Sequence, residues 1–400
     1  MTVIASPGVR CRAPVALGAC LVSFAAFWLA QRAANVSMID LMVYRAEGAT
    51  VRAGGDLYAL RTTAARLPTT YPPFAALLFT PLTLLDTATV RALGTAGNLA
   101  LFVVFVRLSL RLVGHARVES VWWVAAVAVW CEPVWTTLRY GQINLLLAVL
   151  VLWDLSRRPG GRWAGVGIGL AAAVKLTPAL FALFLLATGA VARRRRGSGR
   201  PWLRHARVAA AWFAGATLLA AAVLPYDSWR FWTRMVFAVG RVGHAEDTAN
   251  QALRGVLARL LHTPDPGAAW VVTAAVVAVA GLGVAVAAEL RGRRAWAVAV
   301  CAVTGLLISP VSWSHHWVWC VPVVLLLATR AYRAAALGGL LVFSSYALWW
   351  VPHGPGRHEL HQNGAELLGS ALYGAAGCLF LVIAGVTLGD PGRDQAVTKE

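Results

Sequence analysis

The sequence predicts an all-α, polytopic integral membrane protein, and three observations carry that prediction. Hydrophobic residues make up 59% of the chain and charged residues 13%, which is too little charge to keep a folded surface in water. Apolar runs long enough to cross a bilayer as helix recur along its length. Short loops rich in Arg separate them, the distribution that holds such loops on the cytoplasmic side.

The first apolar run, 14–31, follows Arg10 and Arg12. It is long for a signal-peptide core and has no clear small-residue cleavage site, so it reads as a retained helix. Residues 32–72 form the first long polar excursion, which contains an early carboxylate, Asp40. Further spans are expected at roughly 93–113, 119–138, 141–156, a pair within 162–192, 206–225, 268–290, 294–309, 316–329, 333–351 and 366–388, about 10–12 crossings in all. Arg-rich stretches at 107–117, 157–162, 193–207, 291–294 and 330–333 orient them. The stretch 162–192 lies between two such stretches and has to leave and return, which puts Lys175 to Pro178 at its outer apex. By the same parity the apolar segment 73–86 is re-entrant or interfacial. Residues 226–267 form a second large outer loop, so that 1–388 is one transmembrane domain followed by a disordered cytoplasmic tail, 389–400.

The net charge of +19 is then mostly orientation and attraction to anionic lipid. Nucleic acid is excluded as a partner, because no soluble basic domain exists to bind it. The six Cys fall mostly inside apolar runs with no short paired spacing, so they read as packing residues, and neither a disulfide framework nor a metal site is expected.

Under this topology Asp40, Tyr71, Gln142, Asn144, Lys175, Asn250, Gln251, Arg254, His315 and His316 all fall in outer loops or at outer helix ends. Asp40 is either the N-cap of an interfacial helix ended by Gly54 and Gly55 or a general base whose pKa is raised by partial desolvation. Thr70 to Phe74, with two consecutive prolines, is a rigid extended turn. Gln142 and Asn144 serve either sugar hydroxyls or helix packing. Lys175 is the sharpest signal: the chain has only one other Lys, Lys399, among its 36 basic residues. Keeping Lys in the apolar run GLAAAVKLTPALF points to a need for a compact ammonium, such as phosphate binding, rather than snorkelling. His315 and His316 sit among Trp residues, either as an interfacial belt or as phosphate or sugar contacts. Gly165, Gly167 and Gly169 read as a close-packing helix face, since no strand precedes them. Glu47, Asp56 and Asp227 are alternative bases, Glu246 and Asp247 leave room for a metal, and His353, His358 and His361 read as decoration of a polar turn.

Taken in order, DLMVY, a Gly-Gly-x-Leu-Tyr turn, TYPPFAALLF, YGQINLLL, KLTPALF, NQALRG and SPVSWSHHW resemble the actinobacterial membrane mannosyltransferases of glycosyltransferase family 87. The resemblance implies GT-C architecture with a catalytic first extracytoplasmic loop. It also implies transfer of mannose from a polyprenyl-phosphate carrier to a hydroxyl of a lipid-linked or envelope glycan, such as a phosphatidylinositol mannoside or lipomannan, on the extracytoplasmic face and with inversion. Asp40 would be the base. Lys175, Arg254, His315 and His316 would neutralise the leaving phosphate, and Tyr44, Tyr71, Gln142, Asn144, Asn250 and Gln251 would contact sugar or acceptor. No cofactor is required. The alternatives are a lipid-linked sugar flippase, a transferase using another polyprenyl-phosphate sugar, and a polysaccharide polymerase or ligase. A flippase is expected to carry midplane charges and an internal repeat, whereas here the polar residues gather at one face.

Overall fold

The computed structural model describes residues 12–115, 117–329 and 332–389. The expected features at Arg10, Cys11, Arg330 and the tail beyond 389 lie outside them. Within them the chain is built from eighteen α-helices. They are α1 Arg12–Ala33, α2 Ile39–Arg52, α3 Pro73–Phe79, α4 Thr87–Leu112, α5 Val118–Ala128, α6 Glu132–Tyr140, α7 Asn144–Leu155, α8 Val166–Val174 and α9 Ala179–Arg196. There follow α10 Arg200–Val223, α11 Pro225–Thr233, α12 Leu253–Leu260, α13 Gly267–Leu290, α14 Arg294–Ile308, α15 Cys320–Thr329, α16 Arg333–Ser344, α17 Gly364–Ser370 and α18 Leu372–Gly389. The one strand pair, Arg61–Thr62 with Leu67–Pro68, is a small antiparallel hairpin in the first loop.

The chain is all-α and apolar as expected, but its crossings are less regular. Five helices, α1, α4, α10, α13 and α18, are long and apolar enough to cross a membrane, and α5 with α6 makes a sixth if the bent pair is one span. The other apolar helices are shorter. The span expected at 119–138 is broken: α5 and α6 meet at an angle of 79°. Pro133, in the first turn of α6, has no N–H to continue a helix from α5 and would clash with it. The span expected at 333–351 stops at Ser344, and that at 366–388 is interrupted between α17 and α18. The segment 73–86 contains α3 and a 3-10 turn over Thr80–Leu84. Seven helical residues cover only about 10 Å, far short of a bilayer.

Consecutive helices α13 and α14, and α9 and α10, pack against each other, and helices further apart in sequence close the bundle: α1 lies against α5, α4 against α7 and α8 against α10. The expected glycine face is real: a Cβ on Gly167 would lie 2.4 Å from the Leu150 carbonyl oxygen, and one on Gly169 2.4 Å from that of Ala209. Beside this face Asp154, fully buried on α7, accepts from the amides of Gly165 (2.7 Å) and Ile168 (2.9 Å) and stands 3.2 Å from His205 of α10. A buried carboxylate thus fixes the start of α8, which carries Lys175 at its other end.

Two local devices aim the polar residues. α8 stops at Lys175, whose backbone is extended (φ −148°, ψ 129°), and α9 restarts after Pro178. α6 stops at Gly141 in the left-handed region, φ 67°, a conformation that L-residues adopt only at a cost. A Cβ there would stand 2.7 Å from Cβ of Leu41 on α2. The glycine therefore lets the α6–α7 turn close against α2, with Gln142 next in line. Gly141→Ala is expected to lower stability by about 1–3 kcal/mol, through strain and overpacking together. Thermal unfolding of the purified variant checks this, and an unchanged midpoint would contradict it.

Candidate active site

Asp40 lies in the first turn of α2, but Met38 is the cap residue and no side chain caps the helix. The capping reading of Asp40 is therefore replaced by a tertiary one: Gln142 Nε2 donates to its Oδ2 at 2.7 Å. The other end of the same amide, Oε1, accepts from the hydroxyls of Tyr44 (2.8 Å) and Tyr71 (3.2 Å), which are 3.0 Å apart. Both orientations of the amide are thereby used, and one side chain joins the carboxylate to two phenols. Tyr44 is stacked on Phe79, and the Tyr71 carbonyl accepts from the Tyr58 hydroxyl at 2.9 Å. The Tyr-Pro-Pro turn and α3 thus wall the carboxylate. Burial pushes Asp40 up to about 6, although the Gln142 hydrogen bond and the Lys175 charge each pull it down.

Lys175 faces the same chamber from the α8–α9 break. Its ammonium donates to Asn144 Oδ1 at 3.3 Å, lies 3.0 Å from His316 Nε2, and sits 5.6 Å from the centre of the Tyr71 ring. Burial lowers its pKa to about 8 while attraction to Asp40 holds it up, so it remains mostly charged at neutral pH. Burial and the neighbouring ammonium keep both imidazoles well below their ordinary range. A neutral His316 then accepts from Lys175 through Nε2 and carries its proton on Nδ1.

The two histidines separate into different settings. His316 meets Lys175, whereas the His315 ring packs edge-on against Tyr140 at 5.4 Å and leaves Nε2 buried without a partner. The His315 carbonyl is held by Thr137 Oγ1 (2.7 Å) and Asn144 Nδ2 (3.0 Å). Asn144 therefore touches both the ammonium and the backbone that carries the histidines. A cleft of about 620 Å³ opens from this point between α7, α9, α14 and the 3-10 turn Ser314–Trp319. Lys175, Asn144 and His316 are at its polar part, and Val151, Phe181 and Leu306 are among its apolar walls.

Other expected contacts are placed elsewhere. Asn250 and Gln251 are fully buried. Asn250 receives the Ser312 amide at 3.0 Å and donates to the Ala245 carbonyl at 2.9 Å. Gln251 donates to the Thr248 and Ser370 carbonyls and accepts from the Tyr373 amide at 3.0 Å. Asn250 therefore braces the turn that leads to His315 and His316 with its side chain and Gln251 with its backbone amide, which donates to the Ser312 carbonyl at 2.8 Å, while the Gln251 side chain ties in the start of α18. Arg254 stands 4.0 Å from Asp265 and 5.4 Å from the Trp270 ring centre, and among the described residues it makes no contact with Lys175. Of the alternative bases, Asp56 pairs with Arg230, and Asp227 accepts from the Leu57 amide at 3.1 Å, so both tie the first loop to α11. Glu47 is fully buried and pushed by burial up to about 8, which leaves it largely protonated at neutral pH. Glu246 is taken by Arg357 at 2.6 Å.

Sequence reading missed Glu132. Fully buried at the α5–α6 break, it accepts through Oε1 from Thr136 (2.8 Å), Ser314 (2.8 Å) and Trp349 (3.2 Å), and through Oε2 from the Tyr373 hydroxyl (3.0 Å). One carboxylate thus ties together α6, the histidine turn, the 3-10 turn at 347–349 and α18. The signal for it was a Glu-Pro pair inside an apolar run. Glu132→Ala leaves three buried donors and the half-buried Trp349 without their acceptor and is expected to destabilise the fold by about 3–5 kcal/mol. Glu132→Leu should fare little better and Glu132→Gln noticeably better in thermal unfolding; equal stability of all three would remove the carboxylate from the support.

The sequence profile of glycosyltransferase family 87 matches residues 70–310. A Mycobacterium tuberculosis (strain ATCC 25618 / H37Rv) protein named polyprenol-phosphate-mannose-dependent alpha-(1-2)-phosphatidylinositol mannoside mannosyltransferase is 34% identical over 337 residues, 78% of this chain and 76% of the relative. A pentamannoside-directed mannosyltransferase of M. tuberculosis (strain CDC 1551 / Oshkosh) is 33% identical, covering 87% of this chain and 81% of its own. A Mycolicibacterium smegmatis (strain ATCC 700084 / mc(2)155) phosphatidylinositol mannoside mannosyltransferase is 36% identical, covering 74% and 70%. No solved structure matches the chain significantly.

Proposed function

The chain belongs to glycosyltransferase family 87, and from that premise we propose that Asp40 and Lys175 are the two halves of a sugar-transfer site fed by a polyprenyl-phosphate donor. It is a multi-pass membrane glycosyltransferase. The sugar is mannose and the acceptor a phosphatidylinositol mannoside or related lipid-linked glycan, as the names of the relatives state for those proteins. The site faces the extracytoplasmic side, opposite the short Arg-rich loops that orient the spans.

One observation carries the reading: a half-buried carboxylate raised to about 6 and a half-buried ammonium lie close enough to shift each other's pKa, and the ammonium stands at the polar part of an apolar cleft. The polyprenyl chain lies along the apolar walls. Its phosphate meets Lys175, with His316 and Asn144 holding the ammonium in place. Asp40 accepts the proton of the acceptor hydroxyl as the hydroxyl oxygen attacks the anomeric carbon. The bond from that carbon to the phosphate oxygen breaks on the opposite face, and the polyprenyl phosphate departs with the electron pair. The anomeric configuration inverts. The leaving group is a phosphate monoester, so a cation stabilises its growing charge and no acid is needed to expel it. Gln142 and the two tyrosines orient Asp40 and present hydroxyls to the sugar.

Asp40→Asn, an isostere without basicity, should reduce transfer of radiolabelled mannose from synthetic polyprenyl-phosphate-mannose by on the order of 10²–10⁴. Undiminished transfer would move the base elsewhere. A lipid-linked donor flipped but not consumed would revive the transport reading.

The pH profile is expected to be bell-shaped. Below about 6 Asp40 is protonated and cannot take a proton, and above about 8 Lys175 loses the charge that faces the phosphate. Gln142→Ala removes a hydrogen bond that lowers the pKa of Asp40, so the acid limb should move to higher pH. A shift to lower pH, or none, would show that Gln142 does not stabilise the ionised carboxylate.

A further inference from the structure

At the opposite end of α4 from Asp40 lies a second cleft, of about 530 Å³, that the transfer reaction leaves unused. The position follows from helix geometry. Gly94 and Thr95 of α4 touch Leu41 and Met38 beside Asp40, and Arg107 and Arg111 lie 13–17 residues further on, about 20–25 Å along the axis. That distance is most of a bilayer core. The cleft therefore sits at the other membrane face.

Its walls come from the C-terminal half of α4, the turn after it and the start of α5. Val103, Arg107 and Arg111 recur every fourth residue on one face of α4, His115 follows in the turn, and Val121 and Trp122 close the cleft from α5. Arg107 and Arg111 are both exposed, and Val103, Val121 and Trp122 supply the apolar wall one turn further along α4. His115 Nε2 is 2.9 Å from Ser120 Oγ, which ties it to the start of α5.

Among the described residues neither guanidinium has an acidic partner: Glu119 is the one acid in the connecting segment, and no ion pair joins it to Arg107 or Arg111. Two exposed Arg one helical turn apart repel each other. A phosphate between them would relieve that repulsion through charge-assisted, forked hydrogen bonds. The apolar wall beginning one turn deeper is where an acyl chain attached to that phosphate would run.

We propose that this cleft is a binding site for one anionic glycerophospholipid, with its phosphate on Arg107 and Arg111 and an acyl chain against Val103, Val121 and Trp122. It is separate from the donor cleft and independent of the transfer chemistry. Since α4 connects it directly to the segment that meets Asp40, the bound lipid would also brace the helix that supports the base.

The test uses full-length protein in a neutral detergent, titrated separately with phosphatidylglycerol, phosphatidylcholine and inorganic phosphate. Thermal unfolding and lipid adducts in native mass spectrometry are the readouts. Phosphatidylglycerol should raise the unfolding midpoint and leave a persistent adduct, while phosphatidylcholine and inorganic phosphate should do neither. The double variant Arg107→Gln/Arg111→Gln should weaken this by about tenfold or more. Arg111→Gln alone, which leaves one of the two exposed guanidinium groups, should fall between the two. Arg193→Gln/Arg194→Gln, which removes the same charge from the end of α9, should leave the effect intact. Equal stabilisation by phosphatidylcholine, equal loss in the Arg193/Arg194 pair, or an undiminished adduct in the Arg107/Arg111 pair would each overturn the proposal.

Discussion

The site depends on one amide. Gln142 holds the Asp40 carboxylate with its nitrogen and the Tyr44 and Tyr71 hydroxyls with its oxygen, and among the described residues no other side chain joins the carboxylate to the phenols. Because an amide has a donor at one end and an acceptor at the other, the carboxylate stays on one side and the phenols on the other. Reversing it would leave two buried acceptors facing each other. The placement of this amide rests on Gly141, whose left-handed backbone lets the α6–α7 turn reach α2.

Around that link the chain manages two opposite charges in a buried space. Asp40 and Lys175 are not directly paired, yet each shifts the other's pKa toward its charged form against the cost of burial. A direct ion pair would neutralise both and leave neither free for substrate. Here each is held by neutral partners, Gln142 for one, Asn144 and His316 for the other, and in the proposed reaction an acceptor hydroxyl and a donor phosphate would meet them. Further out, the Glu132 and Asn250 side chains and the Gln251 backbone amide fix the turn that carries His316. Buried polar groups with every bond satisfied are the means by which an otherwise apolar helical protein holds a loop in one place.

Much of this was legible in the sequence because composition and charge distribution act over whole segments. The apolar runs located the helices, and the isolated Lys175 marked the cation, since an Arg-rich chain that keeps Lys in an apolar run has a local reason for it. Asp40 stood out by position, but only the structure shows that its oxygen meets Gln142 and caps no helix. The interruptions were harder to see. The break at Glu132–Pro133 and the stop at Ser344 fall inside runs whose hydropathy continues across them, and hydropathy does not register a missing N–H or a positive φ. Asn250 and Gln251 were misplaced for a related reason: an amide in an outer loop looks the same in sequence whether it meets a sugar or a backbone carbonyl. Glu132 was invisible because its four donors come from three segments far apart in the chain, as well as from its own helix.

The most direct test of the central claim, a single base facing a cation-held phosphate, is the stereochemistry of the product. Donor of defined anomeric configuration would be supplied to the wild-type protein and the new glycosidic linkage assigned by nuclear magnetic resonance. The arrangement of Asp40 and Lys175 requires one displacement and therefore the configuration opposite to that of the donor. A product that retains the donor's configuration would demand a covalent or two-step route, and with it a nucleophile that this account does not contain.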